Sequence, residues 1–186
     1  MNKLNVGSGQ DIRKGWINLD QNDKNGADLI FDLEQIYEGI QIPIKDHSLN
    51  YIYCSHVLED FSDPMPIMKE FIRMSKVKGI IEIIVPHATD FEHSIYHKRP
   101  FSMISLKRLS KGNPAYGDKE ALDILESKYI ICESKRFSMR VYKNLYITLC
   151  NYLPEYIVQR TFFKYLFPHK FLQIKLIKVH NLEVKE

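Results

Sequence analysis

The stretch Leu4–Asp20, LNVGSGQDIRKGWINLD, constrains the fold more than any other part of the chain. It reads as a short apolar strand, a Gly-Ser-Gly turn and a second strand closing on a carboxylate. Glycines at 7 and 9 let backbone approach a ligand with no Cβ in the way, and an acid ending the next strand is placed to accept hydrogen bonds from a ribose diol. Only six residues separate Gly9 from Trp16, whereas a parallel crossover takes about a dozen or more. The first crossover helix is therefore expected to be shortened or absent. Asp20 follows Gly7 by 13 positions, short of the roughly 20 of the dinucleotide fingerprint, which disfavours a nicotinamide enzyme.

Further apolar runs repeat this design. Ala27–Leu33 closes on Asp32, and Leu49–Phe61 runs into Ser55, His56 and Glu59. Asp63-Pro64 pairs an N-cap residue with a proline suited to the first helical turn. Ile67, Phe71 and Met74 then keep helical spacing, predicting a helix up to Gly79. Ile80–Val85 is a nearly unbroken apolar run, the pattern of a strand buried on both faces of a parallel sheet.

The series GSG, INLD, FDL, IYCSHVLEDF, RMSKVKG, IIVPH and HKRPFS resembles the class I S-adenosylmethionine-dependent methyltransferases, in particular a bacterial branch reading roughly LNLGCG, GWINVD, DL, SHVLEHF, RVLKPGG, VPH and H-x-R-x-F. The resemblance spans about residues 3 to 105. Asp11 replaces the usual third glycine, Asp60 the histidine after SHVLE, and Val77-Lys78 the Pro-Gly of RVLKPGG. The implied fold is α/β and Rossmann-like: a mostly parallel sheet with an antiparallel C-terminal strand. The implied cofactor is S-adenosylmethionine. By the same resemblance, Gly7, Ser8 and Gly9 meet the methionine portion, Asp20 the ribose hydroxyls, and Asp32 with Leu33 the adenine, while Ser55 and His56 lie beside the sulfonium.

Bulk properties bound the rest. A chain of 186 residues suits a single domain, 1–186, with a cofactor-binding core over 1–100 and an acceptor or cap region over 101–186. No helix is expected before the first strand. No apolar leader follows Lys3, and no run approaches the roughly 20 apolar residues of a membrane span, so a cytoplasmic location is expected. Cys54, Cys132 and Cys150 lack metal or redox spacing and read as reduced structural thiols. Residues 1–100 carry 11 Lys and Arg against 15 Asp and Glu, and residues 101–186 carry 15 against 8. An anionic acceptor, a phosphorylated carrier or an acidic membrane surface would be drawn to the later half. Nucleic acid is disfavoured because no recognition motif organises those cations.

In that later half, Lys111–Gly117 reads as a loop or lid and Tyr129–Cys132 as a strand. Val141–Tyr152 and Glu155–Phe167 read as helical stretches broken at Pro154. Residues 143–170 mix aromatics with Arg160, Lys164 and Lys170; they read as a capping helical pair or, alternatively, as a surface helix in peripheral contact with the inner membrane face. Leu172, Ile174 and Leu176 alternate with polar residues, predicting a strand pairing antiparallel at the far side of the sheet. Oligomeric state is not legible.

Three histidines are candidates for a base: His56 after the fourth strand, His87 after the fifth, and His97 in HKRPFS. His56 also has a purely structural reading, as do Asp20 and Asp32 as loop caps, while His87 and His97 read as walls of the acceptor pocket. Glu59 reads best as a first-turn carboxylate meeting a helix dipole. His93 and His97 have i, i+4 spacing beside Asp90 and Glu92, but the polar, loop-like stretch argues against a metal site, and none is expected. Arg99 is either an anion ligand for the acceptor or a solvated side chain. The expected activity is methyl transfer, by O-methylation of a small molecule or a sugar or glycan. The rivals are a non-catalytic module that binds S-adenosylmethionine or S-adenosylhomocysteine and, third, a nucleic-acid methyltransferase.

Overall fold

The computed structural model describes residues 2–88, 94–109, 122–130, 145, 148–149, 152–154, 157 and 171–179. One seven-stranded sheet organises them: β1 (Lys3–Val6), β2 (Ile17–Asp20), β3 (Leu29–Ile30), β4 (Leu49–Ser55), β5 (Ser75–Pro86), β6 (Leu122–Ile130) and β7 (Phe171–Lys178). Their order across the sheet is β3-β2-β1-β4-β5-β7-β6. The first five run parallel, and β7 pairs antiparallel with both β5 and β6. This is the expected Rossmann-like arrangement with an antiparallel C-terminal strand.

Between β1 and β2 the chain forms turns and no helix, as the short spacing requires. The connection is held by side chains in place of helical packing. Asn18 Oδ1 accepts from Arg13 N (2.9 Å) and Asn5 Nδ2 (3.2 Å), and the Arg13 guanidinium lies 3.6 Å from the centre of the Tyr53 ring. Such cation–π contacts carry about 0.5–2 kcal/mol.

Helix α1 (Met65–Met74) starts where predicted: Asp63 Oδ1 accepts from Met65 N at 3.0 Å. Its buried stripe of Ile67, Phe71 and Met74 is completely shielded and joins the core with Leu4, Ile52, Ile81, Ile83 and Ile174. The helix stops at Met74 and not at Gly79. Ser75 is already extended and Lys78 takes a left-handed φ of 65°, so β5 begins with a bulge: Leu49 pairs with Ser75, then Tyr51 with Ile80. A short second helix, α2 (Met103–Lys107), is closed by a reciprocal Ser102–Ser105 capping box.

Two further expectations change. Ile81, Ile83 and Val85 are fully buried, but Ile80 and Ile84 on the other face of β5 are only half-buried. On that face Glu82 accepts from Tyr51 and Gln173, a polar network where a second apolar layer was expected. Strand β6 starts at Leu122 and not at Tyr129, because a register shift between Ile124 and Glu126 hides its alternation. Strand β7 pairs antiparallel at the far side of the sheet as expected, inserted between β5 and β6.

The expected loop over 111–117 and the histidine–carboxylate group around 89–93 lie outside the described residues, as does most of 143–170; of that segment, Leu145, Leu149 and Tyr152 are described and exposed. Cys132 and Cys150 also lie outside them, and Cys54 is a free, buried thiol. Among the described residues no helix is long and apolar enough to cross a membrane.

Candidate active site

Parallel strands end on the same side of a sheet, so β1, β2 and β4 deliver Gly7, Asp20 and His56 to one edge. A cavity of about 650 Å³ opens there, lined in part by Gly7, Leu19, Asp20, Phe31, Asp32 and Leu33 on one side of the chain order and by His56, Val57, Glu59, Asp60 and His97 on the other. That volume lies within the usual range for small-molecule and cofactor sites.

The glycine turn is required by geometry. Gly7 has φ 62°, and a Cβ there would lie 2.3 Å from Val57 Cγ2, so only glycine lets β1 turn against the residue that follows His56. Asp20 fixes the turn from the neighbouring strand: its Oδ2 accepts from Gly9 N at 2.8 Å and its Oδ1 from Asn22 N at 3.0 Å. Each oxygen keeps acceptor capacity towards the cavity. Asp32 both caps and lines: it accepts from Glu34 N at 3.0 Å, opening the 3-10 turn Leu33–Glu38, and borders the cavity beside the buried apolar walls of Phe31 and Leu33.

Gly7, Asp20, Asp32, Leu33, His56 and His97 therefore converge on one cavity. Ser8, Gly9, Ser55 and His87 are not among its lining residues. Ser8 is buried beneath the turn, Gly9 lies behind Asp20, and Ser55 is the half-buried last residue of β4. His87 is buried where a backbone bridge joins it to Phe101. The Arg99 guanidinium donates to Ser62 O at 3.0 Å.

Glu59 sits, as read, in the first turn of a short helix, the 3-10 turn Leu58–Asp60, and it also lines the cavity, which the sequence reading did not assign to it. It is 1% exposed, with His56 Nδ1 at 3.3 Å and His97 Nε2 at 4.0 Å from its Oε1, and neither of its oxygens has a hydrogen-bond donor among the described residues. Its carbonyl accepts from Lys98 N (2.7 Å) and Arg99 N (3.0 Å), tying HKRPFS to the end of β4. The signal was its position three residues after His56. Burial, and next the Glu59 charge, push the neighbouring Asp60 carboxyl above its ordinary value. Burial likewise raises the Cys54 thiol beneath the site well above its usual range, which makes it a poor nucleophile.

Asp20, Asp32, Glu34, Glu59 and Asp60 face the cavity against a single lysine, Lys98, which pairs with Glu34 at 3.3 Å. Such a surface attracts a cationic ligand. A nucleoside bearing a sulfonium fits this set: a carboxylate with free acceptor sites for a diol, apolar walls for a base, and negative charge for the sulfur. Among the described residues no group of three or more metal-ligating side chains forms a metal site.

Fold and cavity together define an α/β protein with an acidic cavity at the carboxyl edge of its parallel strands. Residues 8–83 match the family model described as a methyltransferase domain. None of the curated proteins matches the chain. Solved structures sharing the fold include a SAM-dependent methyltransferase from Archaeoglobus fulgidus, at 17% identity with 95% of this chain and 86% of that one covered and a TM-score of 0.51. An S-adenosylmethionine-dependent methyltransferase from Mesorhizobium loti matches at 11% identity, 95% and 90% coverage and a TM-score of 0.58. The [4+2]-cyclase SpnF matches at 13% identity, 95% and 74% coverage and 0.57. The chain thus shares its fold with S-adenosylmethionine-dependent methyltransferases, and its first part is similar to the methyltransferase-domain family.

Proposed function

We propose that the chain methylates a hydroxyl oxygen on a small molecule or a sugar. S-adenosylmethionine supplies an already activated methyl group on a cationic sulfur. What remains for the protein is to hold donor and acceptor in line, exclude water and receive the acceptor's proton. The observation carrying this reading is that two imidazoles, His56 and His97, stand in the wall of the same cavity as Asp20 and Asp32. An amine nucleophile that is already neutral needs no such base; a hydroxyl does.

In this reading Asp20 holds the ribose and Asp32 with Leu33 the adenine, while the exposed Gly7 backbone borders the methionine portion. His56 takes the hydroxyl proton as oxygen bonds to the methyl carbon and the carbon–sulfur bond breaks, its electron pair staying on sulfur. The basic balance of residues 101–186 favours an anionic acceptor such as a phosphorylated or lipid-linked sugar. The test is incubation with methyl-labelled S-adenosylmethionine and a panel of sugar phosphates, glycans and phenols, read by mass spectrometry. A labelled methyl ether is expected, and its loss in His56→Asn. Products methylated only on nitrogen would overturn the reading, and donor binding with no product across the panel would indicate the non-catalytic module.

A further inference from the structure

We infer that Glu59 is a positioning residue: it fixes the His56 imidazole as the Nδ1–H tautomer, leaving Nε2 as the lone-pair nitrogen that meets the acceptor. This deepens the proposed function by naming which nitrogen acts and what sets it.

Four separate observations converge on this one residue. His56 has a left-handed φ of 56°; a non-glycine residue there costs about 1–2 kcal/mol and persists only where its surroundings impose it. Its backbone N donates to Ile84 O at 2.9 Å, so the strained residue is locked to β5. Its ring meets Phe171 edge-on at 4.6 Å between centroids, 83° between planes. The nitrogen turned towards Glu59 is Nδ1, at 3.3 Å from Oε1.

Glu59 is suited to impose a tautomer because it is an acceptor in want of donors. Two buried carboxylate oxygens without hydrogen bonds are costly, and a proton on Nδ1 gives one of them a partner. At 3.3 Å the two atoms are within hydrogen-bonding distance, but the ring is not aligned for a made bond, and a small rotation of the imidazole would complete it. His97 Nε2 faces the same oxygen from the HKRPFS segment at 4.0 Å, so a second imidazole also turns a nitrogen to the carboxylate. Asp60 and Lys98 are the other charged groups near this cluster, Asp60 with its carboxyl raised by burial and by Glu59. When His56 accepts the hydroxyl proton at Nε2, the imidazolium forms beside the Glu59 carboxylate and is stabilised there. Free neutral histidine in water favours the opposite, Nε2–H tautomer, so the two states are distinguishable.

The experiment is two-dimensional proton–nitrogen NMR of the protein labelled at histidine nitrogen, with His56 assigned by His56→Gln and recorded at a pH where its ring is neutral. In the wild type, His56 is expected to show a protonated Nδ1 and a lone-pair Nε2. In Glu59→Gln the carbonyl and amide ends compete, and at least a several-fold fall in the Nδ1–H population is expected. A merely structural role would leave the tautomer where it was. A wild-type His56 already in the Nε2–H form, or the same Nδ1–H population in Glu59→Gln, would overturn the inference. The wild-type spectrum decides on its own if Glu59→Gln does not fold. Binding of S-adenosylhomocysteine to the same samples separates this from the donor-site assignment, because loss of the tautomer effect with binding intact sinks only the role of Glu59.

Discussion

Asp60 stands between burial and the Glu59 carboxylate, and both disfavour its charge. Its folded value lies above its unfolded one, so the native state holds the proton more tightly. Stability falls as pH rises through the window between the two values, and the full penalty is present above the folded value. Asp60→Asn should therefore raise the melting temperature at neutral pH, by an amount on the order of 0.5 kcal/mol because the group keeps part of its hydration. The gain should vanish as pH falls below the carboxylate range; thermal melts at several pH values check the sign. Lys78 offers a second test. It occupies φ 65° where the resembled branch has glycine, and Lys78→Gly should stabilise by about 0.5–1 kcal/mol in urea unfolding, the relief of left-handed strain exceeding the added freedom of the unfolded chain. At this scale the sequence spoke unevenly. Gly7, Asp20 and Asp32 were legible because strand ends and turns impose residue types, whereas the burial of Glu59 depends on residues 94–99 folding over it, which no local pattern encodes.

Helix α1 shows how one element places the site's flank. Arg73 gathers the 42–46 loop: its guanidinium donates to Ile42 O (2.9 Å) and Ile44 O (2.8 Å), and pairs with Glu70 and Asp46. Glu70 in turn accepts from Ile42 N at 3.0 Å. The Arg73 bond holds Asp46 below the ordinary carboxylate value. Glu70 is 7% exposed, so removing its partner strands a buried charge. Arg73→Leu should cost about 3 kcal/mol by chemical denaturation, and Arg73→Leu combined with Glu70→Leu should recover part of it; equal losses in the single and double variants would contradict this account. The apolar stripe of α1 was readable at a period of 3.6. Its end was not, because Ser75–Lys78 has no proline or glycine before Gly79 and the bulge that starts β5 is imposed by pairing with Leu49.

For the whole molecule, the last described strand completes the sheet from within. Leu172, Ile174 and Leu176 are completely buried between β5 and β6, so the sheet that presents Gly7, Asp20 and His56 closes only when residues far apart in sequence have met. Alternation announced β7 as a strand, but its slot is a property of two partners and could not be read from either alone. That sheet exists, on this account, to bring Asp20 and Asp32 to the rim of one cavity that grips a nucleoside bearing a sulfonium. The direct measurement is a thermal-shift titration with S-adenosylhomocysteine on the wild type and Asp20→Asn. At about 100 times its dissociation constant a ligand adds roughly 2.7 kcal/mol of stability. A clear upward shift for the wild type, with little or none for the variant at the same concentration, is predicted. No shift for the wild type, or equal shifts for both, would contradict the account.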